Sequence, residues 1–530
     1  MIGKFRVSMT WLHTWTGLVV CWLLYFLFVT GTLGYFDTEL DLWMTPEAPV
    51  AEATPLDTNI AVAQQRLGDV AEGADRWFLY PVRSREWPHL RVYWQSPPAA
   101  EGEPVRYGDE NLDVATGLPL PDVRETGGGQ TLYRMHYNLH YLPERLGFYI
   151  IAVATMVMFV GLLTGVVAHR QIFAEFFTFR WARGQTSWLD AHNLLAVASM
   201  PFQFMITYSG LIFTLGLFWM PFIVLGGYGF DTARVASLGE EALGQQVVAR
   251  SGTAAALVPL EPLARHAADE WGGEDQIGFI RVEMPGDANS LVTVQRTADG
   301  GIIGDALHFD GATGQYRSTT SGYPNAALGF AGTMLGLHEG LFASPLLRWL
   351  YFLSGLLGCA MIATGAIYWV QKRRPKTVGA GPGWGYRFVE RMNVATIAGL
   401  LAAIGVYFWA NRLLPVELAA RADWEVHCMF LAWLGCFVHA VARPVHRAWP
   451  EQCWLVAAVF LGLPVINWLT TDLHLGVTPR NGNWVMAAVD LTAIATGIVA
   501  LLVAIALGAR QARRTAPHPA TVMAEAGVGR

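Results

Sequence analysis

The chain has 530 residues, 53% hydrophobic and 15% charged, with 21 Trp and a mean hydropathy of +0.33. That balance excludes a wholly water-soluble protein. A net charge of −6 offers no basic face to displace counterions, which excludes a dedicated nucleic-acid binder. All five cysteines (Cys21, Cys359, Cys428, Cys436 and Cys453) lie in or beside apolar runs. Without CxxC or CxxCH spacing, neither a disulfide framework nor a zinc ribbon is expected.

Taken in chain order, eight apolar runs are long enough to cross a bilayer core about 30 Å thick. They lie near 11–36, 145–169, 190–225, 344–370, 392–411, 424–442, 452–470 and 484–508. The first follows Lys4 and Arg6 like a signal peptide, but it runs too long and lacks a small-residue cleavage site, so it reads as a retained anchor. When the spans alternate, Lys4 and Arg6, Arg170, Arg180 and Arg183, the run Lys372 to Arg391, Arg443 and Arg447, and Arg510 to Arg514 all fall on one side. The opposite loops hold only Arg412 and Arg421 in one and Arg480 in the other; basic loops mark the cytoplasmic face, so both termini are expected there. The predicted fold class is an α-helical polytopic membrane protein with two external α+β domains. Its organisation reads 1–35 span 1, 36–143 first external domain, 144–170 span 2, 188–226 span 3, 227–337 second external domain and 338–371 span 4. A basic loop (372–391), four additional spans (392–509) and a cytoplasmic tail (510–530) follow.

The polar stretches 36–133 and 228–333 carry 17 acidic residues against 7 arginines and 13 against 6, so the external face is acidic and the rest of the chain basic. Each reads as a helix, near 56–70 and 259–271, followed by strands such as Trp77 to Tyr80, Leu90 to Trp94, Ile277 to Glu283 and Ser290 to Arg296. Each ends in the same turn signature, Asp113-Val114-Ala115-Thr116-Gly117 and Asp310-Gly311-Ala312-Thr313-Gly314. This is an internal duplication. It continues into the spans: His13 precedes Thr30-Gly31 by 17 residues and His192 precedes Ser209-Gly210 by the same 17, about 26 Å of helix rise. His140 is read as beginning the second span ahead of Thr164-Gly165, and His338 as beginning the fourth ahead of Thr364-Gly365.

Six histidines fall at the ends of the first four spans: His13, His169 and His192 towards the cytoplasm, and His136, His140 and His338 towards the outside. Ionisable groups at membrane depth are costly and mark function more often than decoration. A zinc site needs three or four protein ligands gathered in one place. Two ligands per layer, drawn from symmetry-related helices, suit instead a bis-imidazole haem b, whose porphyrin brings four nitrogens of its own. The expected pairs are His13 with His192 and His140 with His338. His136, at i−4 from His140, is expected on the same helix face as its substitute or supplement. His169 leaves a third haem or another cytoplasmic pairing open.

Trp11-Leu12-His13-Thr14-Trp15-Thr16-Gly17, the stretch Phe176 to Gly184, Ser187-Trp188-Leu189-Asp190-Ala191-His192-Asn193, the His136/His140 pair, Leu337-His338 and the two D-x-A-T-G turns together resemble the PepSY-associated transmembrane family. These are bacterial inner-membrane proteins that include ferric-siderophore reductases. The resemblance covers residues 1–375. It implies two periplasmic PepSY-like domains, b-type haems on the span-end histidines, and His13 and His192 as cytoplasmic-side, His140 and His338 as periplasmic-side ligands. Residues 376–530 depart from that four-span pattern.

The expected function is di-haem transmembrane electron transfer that reduces a periplasmic ferric siderophore or other ferric chelate, with no catalytic side chain of its own. No dinucleotide fingerprint occurs in a strand–helix unit, so the electron donor is expected to be a cytoplasmic reductase, free flavin or quinol. Two other readings remain. One is a PepSY-type protein-interaction or protease-regulating module. The other is a transporter using the last four spans, with Asp490 and His427 as its buried polar groups. Trp77, Tyr80, Trp87, Tyr93 and Trp94 are either an aromatic chelate surface or the cores of the β-domains.

Overall fold

The computed structural model describes residues 2–49, 54–100, 103–169, 176–214, 231, 248–297, 304–322, 326–374 and 383–515, apart from 83, 86, 177, 182 and 341. Arg170, Lys376, His518 and the end of the third apolar run lie outside the described residues. The helices are α1 (Ile2–Gly34), α2 (Asp37–Met44), α3 (Leu56–Val70), α4 (Gly128–Tyr137), α5 (Glu144–Ala168), α6 (Gln185–Phe213), α7 (Glu261–Trp271), α8 (Ala326–Glu339), α9 (Pro345–Lys372), α10 (Trp384–Ile397), α11 (Gly399–Leu413), α12 (Arg421–Ala442), α13 (Val445–Thr470) and α14 (Trp484–Thr515). Among the described residues, eight stretches are long and apolar enough to span a membrane: α1, α5, α6, α9, α10 with α11, α12, α13 and α14. The protein is therefore a multi-pass membrane protein.

The chain folds into two compact units. The first, residues 1–47, 124–204 and 349–530, contains α1, α2, α4, α5 and α10 to α14. Its apolar core runs from Leu24, Leu27 and Trp43 through Leu132 and Met135 to Leu400, Tyr407, Met429 and Leu463. The second, residues 48–123 and 205–348, is built on strands β1 (Arg76–Tyr80), β2 (Leu90–Ser96), β3 (Arg106–Leu112), β4 (Ile277–Glu283), β5 (Leu291–Arg296), β6 (Ala306–Asp310) and β7 (Tyr316–Thr320). The sequence suggested two external α+β domains and left open how their strands pair. The strands form one seven-stranded sheet of order β3-β2-β1-β4-β5-β6-β7. The two halves join because β1 pairs antiparallel with β4, Trp77 opposite Val282 and Leu79 opposite Ile280.

One sheet face is covered by α3 and α7. Alternation in the strands points Trp77, Leu79, Val92, Ile280, Val282 and Val294 at Ile60, Leu67, Leu263 and Ala267. The five aromatics named from the sequence thus divide. Trp77 is core, and Trp94 packs beside it over Gly108, where a Cβ would meet its ring. Tyr80, Trp87 and Tyr93 lie in an aromatic cluster with Phe78, Phe279 and Tyr107, with Arg91 stacked on Trp87. The two D-x-A-T-G turns are Asx turns. The Asp113 carboxylate accepts from the Ala115 amide and Thr116 hydroxyl, the Asp310 carboxylate from the Ala312 and Thr313 amides, and Gly117 and Gly314 supply the positive φ.

Candidate functional site

The expectation that His140 and His338 begin spans is corrected by the helix boundaries. A short helix ends just before each of these spans. Helix α4 stops at Tyr137 because Asn138 is extended, and Pro143 sets the start of α5 at Glu144. Helix α8 stops at Glu339 before Gly340, whose φ is +64°, and α9 begins at Pro345. His136 is therefore the penultimate residue of α4, and His338 the penultimate residue of α8. These two are equivalent in the duplication. His140 lies beyond the end of α4, so it does not share a helix face with His136. It is exposed, with its ring against Tyr141 and Phe430.

In the first unit the His13 and His192 rings face each other, with centroids 6.3 Å apart and planes 52° from parallel. His13 Nδ1 lies 2.8 Å from the Gly161 carbonyl, and His192 Nδ1 lies 2.8 Å from the Met361 carbonyl. A carbonyl only accepts, so both Nδ1 atoms carry the proton and both Nε2 atoms keep a free lone pair. Neither Nε2 has a partner among the described residues.

The Thr-Gly pairs noticed in the sequence explain how these rings are held. Thr164 returns its hydroxyl to Val160 and Gly161, and Thr364 does the same to Ala360 and Met361. The glycine that follows leaves room for the ring. A Cβ on Gly165 would stand 3.0 Å from His13 Cε1, and one on Gly365 would stand 3.0 Å from His192 Cε1. Each of these spans thus carries both the carbonyl acceptor and the glycine cradle of one histidine, α5 for His13 and α9 for His192. The two cradles, 200 positions apart, are the same motif used twice.

The same arrangement recurs at α4. His136 Nδ1 donates to the Leu27 carbonyl at 2.7 Å, which also receives the Thr30 hydroxyl, and the ring occupies the space that a Cβ on Gly31 would take. Burial lowers the His136 pKa, the bond to Leu27 working against it. In the second unit, His338 Nδ1 lies 2.9 Å from Ser209 Oγ. That hydroxyl spends its proton on Met205 and Ile206, so it accepts from His338 Nδ1–H. His13, His192, His136 and His338 therefore share one tautomer. His169 differs: its Nε2 accepts from Asn193 Nδ2 at 2.8 Å, beside His192.

The residues offered for a transport path are bonded within the structure. Asp490 accepts from Trp43 Nε1 and Asn467 Nδ2, both at 3.0 Å, and His427 Nδ1 lies 2.7 Å from the Tyr141 hydroxyl. Sequence reasoning missed the charged cluster around them, because Arg412 and Arg421 read as loop residues. Both are buried. Arg421 pairs with Glu425, both wholly inaccessible, and Glu425 also accepts from the Thr126 hydroxyl, the Gly127 amide and Asn411 Nδ2. Arg412 bonds Asn467 and the Trp43 carbonyl. With Tyr407 donating to the Gly128 carbonyl and Asp41 accepting from the Gly129 amide, this network fastens α11 and α12 to the start of α4, the helix that presents His136.

These features define a multi-pass membrane protein with a duplicated set of half-buried, tautomer-locked histidines and a β-sheet unit inserted between its spans. The chain belongs to the family of the PepSY-associated TM region, whose model matches residues 10–372. It is also 24% identical over 392 residues to an uncharacterized protein of Pseudomonas aeruginosa, PA4219, a match covering 67% of this chain and 89% of that protein.

Proposed function

We propose that the chain is a transmembrane electron-transfer protein of the bacterial inner membrane. In this reading it binds haem b and reduces a ferric chelate of the siderophore class on the periplasmic side, with electrons drawn from the cytoplasmic side. The observation that carries the reading is the facing pair His13 and His192, each with Nδ1 committed to a carbonyl and Nε2 available. With their ring centroids 6.3 Å apart and neutral imidazole a ligand that suits iron, His13 and His192 are the residues that would hold the haem.

When bound, haem supplies a reversible one-electron iron couple. The chain's residues do the rest. The Gly161 and Met361 carbonyls orient the imidazoles and raise their basicity through Nδ1–H, as outer hydrogen bonds do for metal-bound histidines. Gly165 and Gly365 allow each ring to sit against a neighbouring backbone. Among the other histidines, the shared tautomer favours His136 over His140 as a further candidate ligand, while the Asn193 bond leaves His169 a supporting role. The β-sheet unit is the periplasmic, PepSY-like part in this reading, and both termini are cytoplasmic.

The test is spectroscopic. Protein purified in detergent from haem-replete cells should show a b-type spectrum that sharpens on dithionite and loses its haem to acid extraction. His13→Ala and His192→Ala should each remove the same fraction of that haem, and His136→Ala a different one. A colourless preparation would reject the reading in favour of a membrane-anchored interaction module. Reoxidation of pre-reduced protein in vesicles by external ferric chelate tests the acceptor.

A further inference from the structure

Helix α10 opens on the membrane-embedded unit with Trp384, Arg387, Phe388 and Arg391, and these residues border a cavity of about 420 Å³ completed by Phe437 and Val441 of α12. We propose that this groove binds an anionic phospholipid, its phosphate at Arg387 and Arg391 and its acyl chains along α12.

The arginines are one helical turn apart and therefore share a face. Arg374, at the end of the preceding span region, is close enough to Glu390 to interact with it electrostatically, as is Arg391. Two cationic side chains thus act on that one carboxylate, and with Arg387 on the lining the mouth keeps a positive excess. The walls suit a lipid rather than a small soluble anion. Trp384 stacks on Phe388 with centroids 5.6 Å apart, Phe388 meets Trp22 of α1 edge-on at 5.8 Å, and Trp384 remains 80% exposed. An exposed tryptophan at the start of a span is the residue that settles at the headgroup level.

From the groove, α12 continues with Leu431, Leu434, Val438 and Val441, all exposed and spaced three or four residues apart. This is an apolar stripe of the length an acyl chain requires, continuous with the wall formed by Phe437. The volume falls within the range of small-ligand sites, and basic recesses between spans on the positively flanked side are where anionic headgroups are held.

The test uses the full-length protein, delipidated in neutral detergent and titrated with dioleoyl phosphatidylglycerol, dioleoyl phosphatidylcholine or inorganic phosphate, with bound species counted by native mass spectrometry. Phosphatidylglycerol is expected to bind at least about thirtyfold tighter than phosphatidylcholine, about 1 kcal/mol for each of the two arginines. At about one surface-cation's worth of attraction each, Arg391→Gln should cut that preference about fivefold, and Arg387→Gln with Arg391→Gln about thirtyfold. Arg510→Gln with Arg513→Gln, on the basic end of α14, should leave it unchanged. Circular dichroism confirms that each variant is folded, and the single variant keeps the test decisive if the double does not fold. Equal binding of the two lipids, or an unchanged preference in Arg391→Gln, overturns the proposal. Displacement of phosphatidylglycerol by millimolar phosphate would assign the groove to a free anion and overturn it equally.

Discussion

The pair Arg421 and Glu425 offers a direct measure of how firmly the last four spans are joined to the rest of the first unit. Both side chains are 0% exposed. Replacing Arg421 with Met keeps the volume but strands a buried carboxylate, a change that costs about 3–5 kcal/mol. Glu425 would retain the Thr126, Gly127 and Asn411 donors, which moves the carboxylate's own penalty to the low end, about 3 kcal/mol. The carbonyls of Asn411 and Glu125 would lose their Arg421 donors, adding about 1 kcal/mol apiece. The expected total for Arg421→Met is about 4–5 kcal/mol. Arg421→Met with Glu425→Met removes both charges and should recover at least about 2 kcal/mol of the summed single losses. The assay is reversible unfolding in mixed micelles, followed by ellipticity across a sodium dodecyl sulfate titration. A single variant within about 1 kcal/mol of wild type, or a double no better than the sum of the singles, would refute the claim that this pair is desolvated and coupled.

Two further outcomes follow from the geometry. Gly365→Val brings a branched side chain to a position whose Cβ alone would approach His192 to 3.0 Å, so the ring must leave the Met361 carbonyl and haem content should fall as in His192→Ala; Gly435→Ala, with open space around it, serves as the neutral control, and equal haem in both variants would contradict the cradle. His308, 2% exposed between Thr293 and Thr320, has its pKa pushed down to about 4 by burial and by the charge of Arg281. The unfolded chain binds that proton near pH 6.5 and the folded chain does not, so stability falls as pH drops from about 6.5 to about 4, by about 2 kcal/mol at pH 5. Protease resistance of the sheet unit at pH 7.5 and 5.0 reads this out, and His308→Asn should flatten the difference.

How much of this was legible in the sequence depends on the range of the interaction involved. The eight spans follow from local hydropathy. The α3 and α7 helices and the strands beginning near Trp77 and Ile277 follow from periodicity, with helix limits correct to within two residues. The Thr-Gly pairs were visible as a repeat, but their use was not. Thr30-Gly31 shares a helix with His13 yet receives His136, since only packing decides which ring meets which glycine. The choice between His136 and His140 turned on where α4 ends, a matter of Asn138 and Pro143 that hydropathy does not register. Arg412 and Arg421 misled because a charge near the end of an apolar run reads as solvent-exposed. Only the neighbours that bury them, Trp43, Asn411, Glu425 and Asn467, reveal otherwise. The joining of the two polar segments through β1 and β4 is likewise a contact between residues some 200 positions apart, outside the reach of any local pattern.

That central seam has a consequence for the edges of the sheet. Either half alone would end in a bare strand edge, β1 or β4, with its amide and carbonyl groups unpaired. Because β1 and β4 pair antiparallel within one chain, each edge is covered by the other half, and the tether makes that pairing independent of protein concentration, at an effective concentration in the millimolar range.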